Sequence, residues 1–286
     1  MWTRRGLLAG AALVPLAGAA VAGDNPEGLI AAIEKRAGGR LGVAALDIQT
    51  GRRIGHRADE RFAMCSTFKL LLASAVLHRA DQGLERLDRW MPYTKADLLE
   101  HAPVSETNLS KGGMTVQRMA EAVIEDSDNT AANFLIASLG GPSGVTRYAR
   151  SLGDPVTRLD RTELSLNTAI AGDPRDTTTP VAMLEDLRRL MLGKALSDSS
   201  RALLTGWLVA CKTAAARIPA GFPAGWKSGN KTGTGDNGST NNVAIIWPQA
   251  RGPMFLSVYF TESKIGIDAR EAVIADVARI VSKSFA

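Results

Sequence analysis

Residues 243–261, VAIIWPQARGPMFLSVYFT, decide the architecture. Two β-rich runs, Val243–Trp247 and Phe255–Thr261, flank a connector with proline at both ends, Pro248–Pro253, and read as a hairpin. Beyond them Val273, Ile274, Val277, Ile280 and Val281 have helical spacing. The other end of the chain repeats the combination. Leu29, Ile30, Ile33 and Ala37 are spaced for a helix that Gly38-Gly39 stops, and Leu41–Ile48 is a β-like run ended by a Thr50-Gly51 turn. Everything between has helical character: Leu70–Leu77, Val116–Ile124 after a Thr115 cap, Thr130–Leu139 ended by Gly140-Gly141-Pro142, Val181–Leu192 after Thr177-Thr178-Thr179-Pro180, and Ala202–Ala210. Strands at both ends with helices between predict an α+β fold. An antiparallel sheet lobe flanked by terminal helices (residues 23–60 plus 212–286) would carry an inserted all-helical lobe (residues 61–211).

The 286 residues are 45% hydrophobic and 22% charged. That balance excludes a disordered chain, a collagen-like chain and a coiled-coil rod, and the length supports a large core. Residues 1–22 join Arg4 and Arg5 to an apolar run, Gly6–Ala22, the pattern of a secretory signal peptide. Ala20-Val21-Ala22 matches a small-x-small cleavage site, and Thr3-Arg4-Arg5-Gly6-Leu7-Leu8 is similar to a twin-arginine export signal. The apolar run is short for a stable span, so the expected location is periplasmic or secreted, with no stable membrane association. Removing Arg4 and Arg5 lowers the net charge from +5 to +3, with 32 basic and 29 acidic groups remaining. The basic residues are scattered and aromatics make up 5%, so nucleic acid is not an expected partner. Two cysteines, Cys65 and Cys211, and three histidines form no Cys-x-x-Cys or His-x-His, so no metal site is expected.

Three short motifs carry chemistry. In Ser66-Thr67-Phe68-Lys69, serine and lysine three apart share a helix face. Such a lysine can take the serine proton and activate the hydroxyl as a nucleophile, and a serine opening a helix also faces its positive end. With 18 serines and 10 lysines, about 0.6 such pairs are expected by chance. Ser228-Gly229-Asn230-Lys231 is a second one, but it is broken by glycine and begins no apolar helix. Ser127-Asp128-Asn129 lies between two helical segments. A serine there can pass a proton to a leaving nitrogen and an asparagine can pair with an amide, although all three residues also suit a helix N-cap. Lys231-Thr232-Gly233-Thr234 precedes a β-like run. On or beside an edge strand it could hold a substrate carboxylate, with glycine allowing close approach; the alternative is a glycine-rich turn with an exposed lysine.

Together, and in this order, the motifs resemble the set shared by class A β-lactamases and penicillin-binding proteins. The chain resembles a class A serine β-lactamase over nearly all of its mature length. The resemblance implies a β-lactamase/transpeptidase-like fold, an exported monomer, penicillin and cephalosporin substrates, and no cofactor. It implies Ser66 as nucleophile, Lys69 as its activating partner and Ser127 as proton relay to the ring nitrogen. Arg161-Thr162-Glu163-Leu164-Ser165-Leu166-Asn167 is similar to the family's Ω-loop motif, which makes Glu163 the deacylation base and Asn167 its partner on the water. Whether Glu163 or Lys69 takes the first proton is disputed for the family, and without the other motifs Glu163 would read as a solvated loop carboxylate. The resemblance further implies an Arg161–Asp176 ion pair closing the loop over residues 161–176, with Asn133 buttressing it. Asn129, Lys231, Thr232, Gly233 and Thr234 would contact substrate, the backbone N–H groups of Ser66 and Thr234 would form the oxyanion hole, and Arg217 would support the substrate carboxylate unless it is a surface arginine.

Glu163 and Asn167 separate this reading from a transpeptidase, whose acyl-enzyme is long-lived. A β-lactam sensor would carry membrane spans, and none appears after residue 23. An inactive binding module would not need the intact catalytic set. Three positions depart from the family pattern. His101 stands where Tyr or Trp is usual at the cleft mouth, with a surface histidine as the alternative. Cys65 precedes the nucleophile as in carbapenem-hydrolysing relatives, but Gly235 replaces the second cysteine of their bridge. Leu164 replaces a common proline after Glu163, where the family's peptide bond is commonly cis.

Overall fold

The computed structural model describes residues 25–286; the expected signal peptide, residues 1–22, lies outside them. Helix α1 (Pro26–Ala37) starts where Asn25 accepts from Gly28 N and ends at Gly38, whose φ of 68° suits glycine. Strands β1 (Arg40–Asp47) and β2 (Arg53–His56) pair antiparallel across the Thr50-Gly51 turn. The helices that follow are α2 (Phe68–Asp81), α3 (Pro103–Thr107), α4 (Val116–Glu125), α5 (Asn129–Ser138), α6 (Pro142–Ser151), α7 (Pro180–Leu192) and α8 (Asp198–Val209). The chain then returns to the sheet with β3 (Lys227–Thr234), β4 (Thr240–Trp247) and β5 (Met254–Thr261), and closes with α9 (Ile267–Phe285).

The sheet runs β2-β1-β5-β4-β3 and every pair is antiparallel. Strand alternation sorts its side chains into two cores. Leu41, Val43, Leu256, Val258 and Phe260 pack with Ile30 and Ile33 of α1 and with Ile274 and Val277 of α9. Ala44, Leu46, Val243, Ile245, Phe255 and Tyr259 face the other way, onto α2, α4, α7 and α8. The α+β architecture with strands from both ends is thus as expected. Helix α7 lies directly on β1 and β5, and Gly42 permits this approach, since a Cβ there would meet Phe62 and Pro180 at 2.4–2.8 Å.

Strand β3 and helices α3 and α6 escaped the sequence pattern, and α8 starts earlier than its expected Ala202. Strand β3 contains Gly229, Asn230 and Gly233, residues depleted in strands, and is ordered by pairing Lys231 with Val243 of β4. Helix α6 carries Pro, Ser, Gly and two arginines and buries Gly144, Val145, Tyr148 and Ala149. Helix α8 begins at Asp198, ahead of the apolar run, because Ser197 Oγ caps Ser200 N at 3.2 Å.

Candidate active site

Ser66 is the middle residue of a single 3-10 turn, Cys65–Thr67, that leads into α2. The turn is anchored to the sheet on two sides. Asn241 Nδ2 of β4 donates to Ala63 O (2.9 Å) and Met64 O (3.0 Å), and Thr67 Oγ1 lies 3.0 Å from Tyr259 Oη of β5. Strand β3 comes up against it through Gly233, where a Cβ would stand 2.7 Å from Met64 O and 3.2 Å from Ser66 N. That contact explains the glycine in Lys231-Thr232-Gly233.

One turn into α2, Lys69 projects a fully buried amine into a ring of oxygens. Its Nζ donates to Ser66 Oγ (3.1 Å), Ser127 O (2.7 Å) and Asn129 Oδ1 (2.6 Å), with Ser127 Oγ at 3.4 Å. Glu163 Oε1 lies 2.9 Å from the same nitrogen, close in distance though not aligned as a hydrogen bond. Lys231 enters from β3 and donates to Ser127 Oγ (3.1 Å) and Thr232 O (3.1 Å). Ser127 therefore stands between two buried amines, held with a left-handed φ of 60°. Burial pushes the Lys231 ammonium down to about 7, with the like charges of Lys69 and Arg217 adding to the effect.

Within Ser127-Asp128-Asn129 the helix-cap reading holds at Asp128. Asp128 caps α5 by accepting from Ala131 N (2.9 Å), and also accepts from Val104 N, Ser105 N and Ser105 Oγ at 2.8–3.1 Å. It ties α3 to the loop, while Ser127 and Asn129 on either side turn toward Lys69.

Glu163 is held at both ends. Asn133 clamps its backbone, donating to Glu163 O and accepting from Glu163 N, each at 2.9 Å. Asn167 Nδ2 donates to Glu163 Oε2 at 2.6 Å. The Glu163–Leu164 peptide is cis. Arg161 and Asp176 meet at 2.5 Å, and Asp176 Oδ1 also accepts from Asp160 N and Arg161 N. These two residues and Asn133 lie outside the cleft and fasten the loop. The turn after β3 fastens its other side, with Asp236 N donating to Asn167 O (2.9 Å) and Asn237 Nδ2 to Thr168 O (2.9 Å).

Arg217 is not on the surface. It is buried behind β3, where it donates to Thr234 Oγ1 (2.7 Å), Gly233 O (3.0 Å) and Asn241 O (2.8 Å) and pairs with Glu271 at 3.0 Å. Thr213 Oγ1 stands 2.5 Å from Thr232 Oγ1. His101 has a left-handed φ of 55°, pairs its Nε2 with Asp126 O and sits at the cleft mouth. The open cleft has a volume of about 350 Å³ and is lined by Ser66, His101, Ser127, Asn167, Arg217 and Thr234, among others. Cys65 and Cys211 are both thiols, and burial raises the Cys65 thiol to about 12. Asp128, Asn241, Thr213 and Glu271 were not singled out from the sequence. Asp128 could have been, because it sits inside a quoted motif; the other three become visible only through the fold.

Two serine hydroxyls on the wall of one cleft, two buried amines behind them and a clamped carboxylate therefore lie within about 3 Å of one another in a chain of contacts. The family model described as "Beta-lactamase enzyme family" matches residues 26–285. The chain belongs to the class A β-lactamase family. Beta-lactamase CTX-M-97 of Escherichia coli is 46% identical over 254 residues, which is 89% of this chain and 87% of that protein. Beta-lactamase OXY-1 of Klebsiella oxytoca is 45% identical over 286 residues, covering 99% and 98%. A solved ancestral class A β-lactamase is 58% identical with a TM-score of 0.89, covering 91% of this chain and all of that one. As a class A β-lactamase the chain is a hydrolase of β-lactams, working through a serine acyl-enzyme.

Proposed function

We propose that this β-lactamase opens penicillins and cephalosporins with Ser66 as nucleophile and Glu163 as the base that clears the acyl-enzyme. The observation that carries the reading is Lys69 Nζ, 3.1 Å from Ser66 Oγ and 2.9 Å from Glu163 Oε1. One amine thus links the group that must lose a proton to the group that can accept one. Ser66 Oγ attacks the lactam carbonyl as its proton passes into the Lys69–Glu163 pair. The developing oxyanion is held by the N–H groups of Ser66 and Thr234, a pair of donors of the kind worth about 100- to 1000-fold in rate. Ser127, between Lys69 and Lys231, delivers a proton to the ring nitrogen as the C–N bond breaks. Glu163 then takes a proton from water as the water oxygen attacks the ester carbonyl; the bond from that carbon to Ser66 Oγ breaks, and the proton returns to Ser66 through Lys69. Asn167 Oδ1 is buried without a donor among the described residues, which suits it to accept from that water.

Lys231, Thr232 and Thr234 present cations and hydroxyls to the substrate carboxylate. Arg217 acts through Thr234, and Asn129 and His101 line the opposite wall. We propose export through residues 1–22 and function as a monomer without nucleic acid. The basic-apolar start supports export, and among the described residues no helix is long and apolar enough to cross a membrane.

The test is intact-protein mass after mixing with benzylpenicillin. Wild type should return within the mixing time to its free mass, while Glu163→Ala retains one penicilloyl group and Ser66→Ala gains none. A wild type that stays acylated would move the reading to a penicillin-binding protein, and a Glu163→Ala variant that turns over normally would remove Glu163 from deacylation.

A further inference from the structure

The buried stripe of α7 contains a carboxyl among its apolar side chains. Asp186 lies beside Met183, Leu187 and Leu190, and neither of its carboxyl oxygens has a hydrogen-bond donor among the described residues. One turn further along α7, Arg189 donates to Leu152 O and stands 3.2 Å from where a Cβ on Gly153 would be, which sets this face of the helix against the turn that holds a second acid, Asp154, within hydrogen-bonding reach of Asp186. Asp154 is also buried, but it is employed: Oδ1 accepts from Val156 N (2.6 Å) and Thr157 N (3.1 Å). Those N–H groups are directed at Asp154 and supply no donor to Asp186. With no donor of its own and an acceptor facing it, Asp186 is satisfied by keeping its proton and donating it to Asp154. Burial first, and the adjacent Asp154 second, hold the Asp186 carboxyl well above its ordinary range. The proton then belongs to the pair.

The two acids stand on opposite stems of the loop that carries Glu163. Asp154 organises the turn before it, whose carbonyls at Asp154 and Thr157 accept from Arg150. Thr157 Oγ1 lies 2.6 Å from Thr178 Oγ1, and Arg158 N donates to Thr177 O at 3.0 Å. Thr177 and Thr178 follow Asp176 on the returning stem, which runs directly into α7 and Asp186. Other groups facing Asp186 are Arg150 and Tyr148 from α6, Arg189 from α7 itself and Tyr259 from β5; Asp81 and His78 of α2 lie beside Tyr148. Arg189 is engaged with Leu152 O, and Tyr148 Oη has no hydrogen-bond partner among the described residues.

We propose that the carboxyl–carboxylate contact between Asp154 and Asp186 is a second clasp on the Ω-loop, and that Asp186 is a positioning residue for deacylation. The proposal rests on Glu163 being the deacylation base. Loss of the shared proton places two like charges in one buried site and parts the stems.

The experiment compares wild type with Asp186→Asn, which can still donate to Asp154 but does not titrate, and with Asp186→Leu, which cannot donate. A group protonated in the folded state and ionised in the unfolded state lowers stability as pH rises above its unfolded value. The wild-type folding constant should therefore fall relative to Asp186→Asn by up to about tenfold per pH unit from pH 4 upward. Infrared difference spectra at pH 7 should contain a carboxylic-acid C=O band that Asp186→Asn lacks. Single-turnover deacylation should fall with rising pH in wild type, stay flat in Asp186→Asn over the same range, and drop about tenfold or more in Asp186→Leu. Identical unfolding curves with no band lost in Asp186→Asn would overturn the clasp. A changed unfolding curve with deacylation unmoved in both variants would overturn the positioning role. If band and unfolding behave as expected but wild type does not deacylate, the clasp stands and it is the Glu163 reading that fails.

Discussion

One face of the sheet meets α1 and α9, and the other meets the helical lobe; the two contacts differ in what fills them. The first is mainly apolar, with Ile30, Leu41, Val258, Phe260 and Ile274 wholly buried. The second begins the same way at Tyr259 and Phe255 but ends in polar groups taken out of water: Lys69, Lys231, Ser127, Glu163 and Asp186. Burial of apolar area stabilises the first contact directly. In the second, each charge incurs a desolvation penalty that its partners only partly offset. The terminal helices therefore hold the sheet together, and the helical lobe spends some of that stability on a reactive site.

Substitutions can sharpen or break this division. The largest effect is expected at Phe260→Ala, which should lower unfolding free energy by about 3–5 kcal/mol in denaturant titration while leaving kcat per folded molecule unchanged; a collapse of kcat would show that the two faces are not separable. Next comes Asp176→Asn. It removes the carboxylate that meets Arg161 and two backbone N–H groups, in a site where Arg161 keeps partial access to water. Its expected result is about tenfold slower deacylation and faster proteolysis within residues 161–176, with a smaller loss of global stability than Phe260→Ala.

The smallest effect is a pH dependence at Lys231. Its folded value of about 7 lies below the ordinary lysine value of about 10.4, so the unfolded chain binds the extra proton between the two. Stability from this group is least below about pH 7 and rises toward pH 10. Catalysis should run the other way, with KM for penicillin rising as pH passes about 7 and the ammonium is lost. Lys231→Met should flatten the stability profile, and an unchanged profile in that variant would place the buried-charge cost elsewhere.

The same division governs how much the sequence disclosed. The apolar face follows strand and helix periods, so α1, α9, β4 and β5 are readable from Leu, Ile, Val and Phe alone. The reactive face is readable where chemistry demands a fixed local spacing, as between Ser66 and Lys69, and only through the family resemblance at Glu163 and Asn167. It is unreadable where partners meet through the fold. Thr213 and Thr232 are 19 residues apart, Asn241 reaches back 177 residues to Met64 O, and Asp154 and Asp186 belong to no motif. Strand β3 shows both sides of this: its chemistry is plain in Lys231-Thr232-Gly233, yet its glycines and asparagine conceal that it is a strand.

That strand is also the last in the sheet. An eight-residue border strand is a template on which another chain can grow. Here the outer side of the strand faces the cleft of about 350 Å³, which Thr232, Gly233 and Thr234 line. The strand edge most open to pairing with another chain is thus one wall of the pocket in which the reaction takes place.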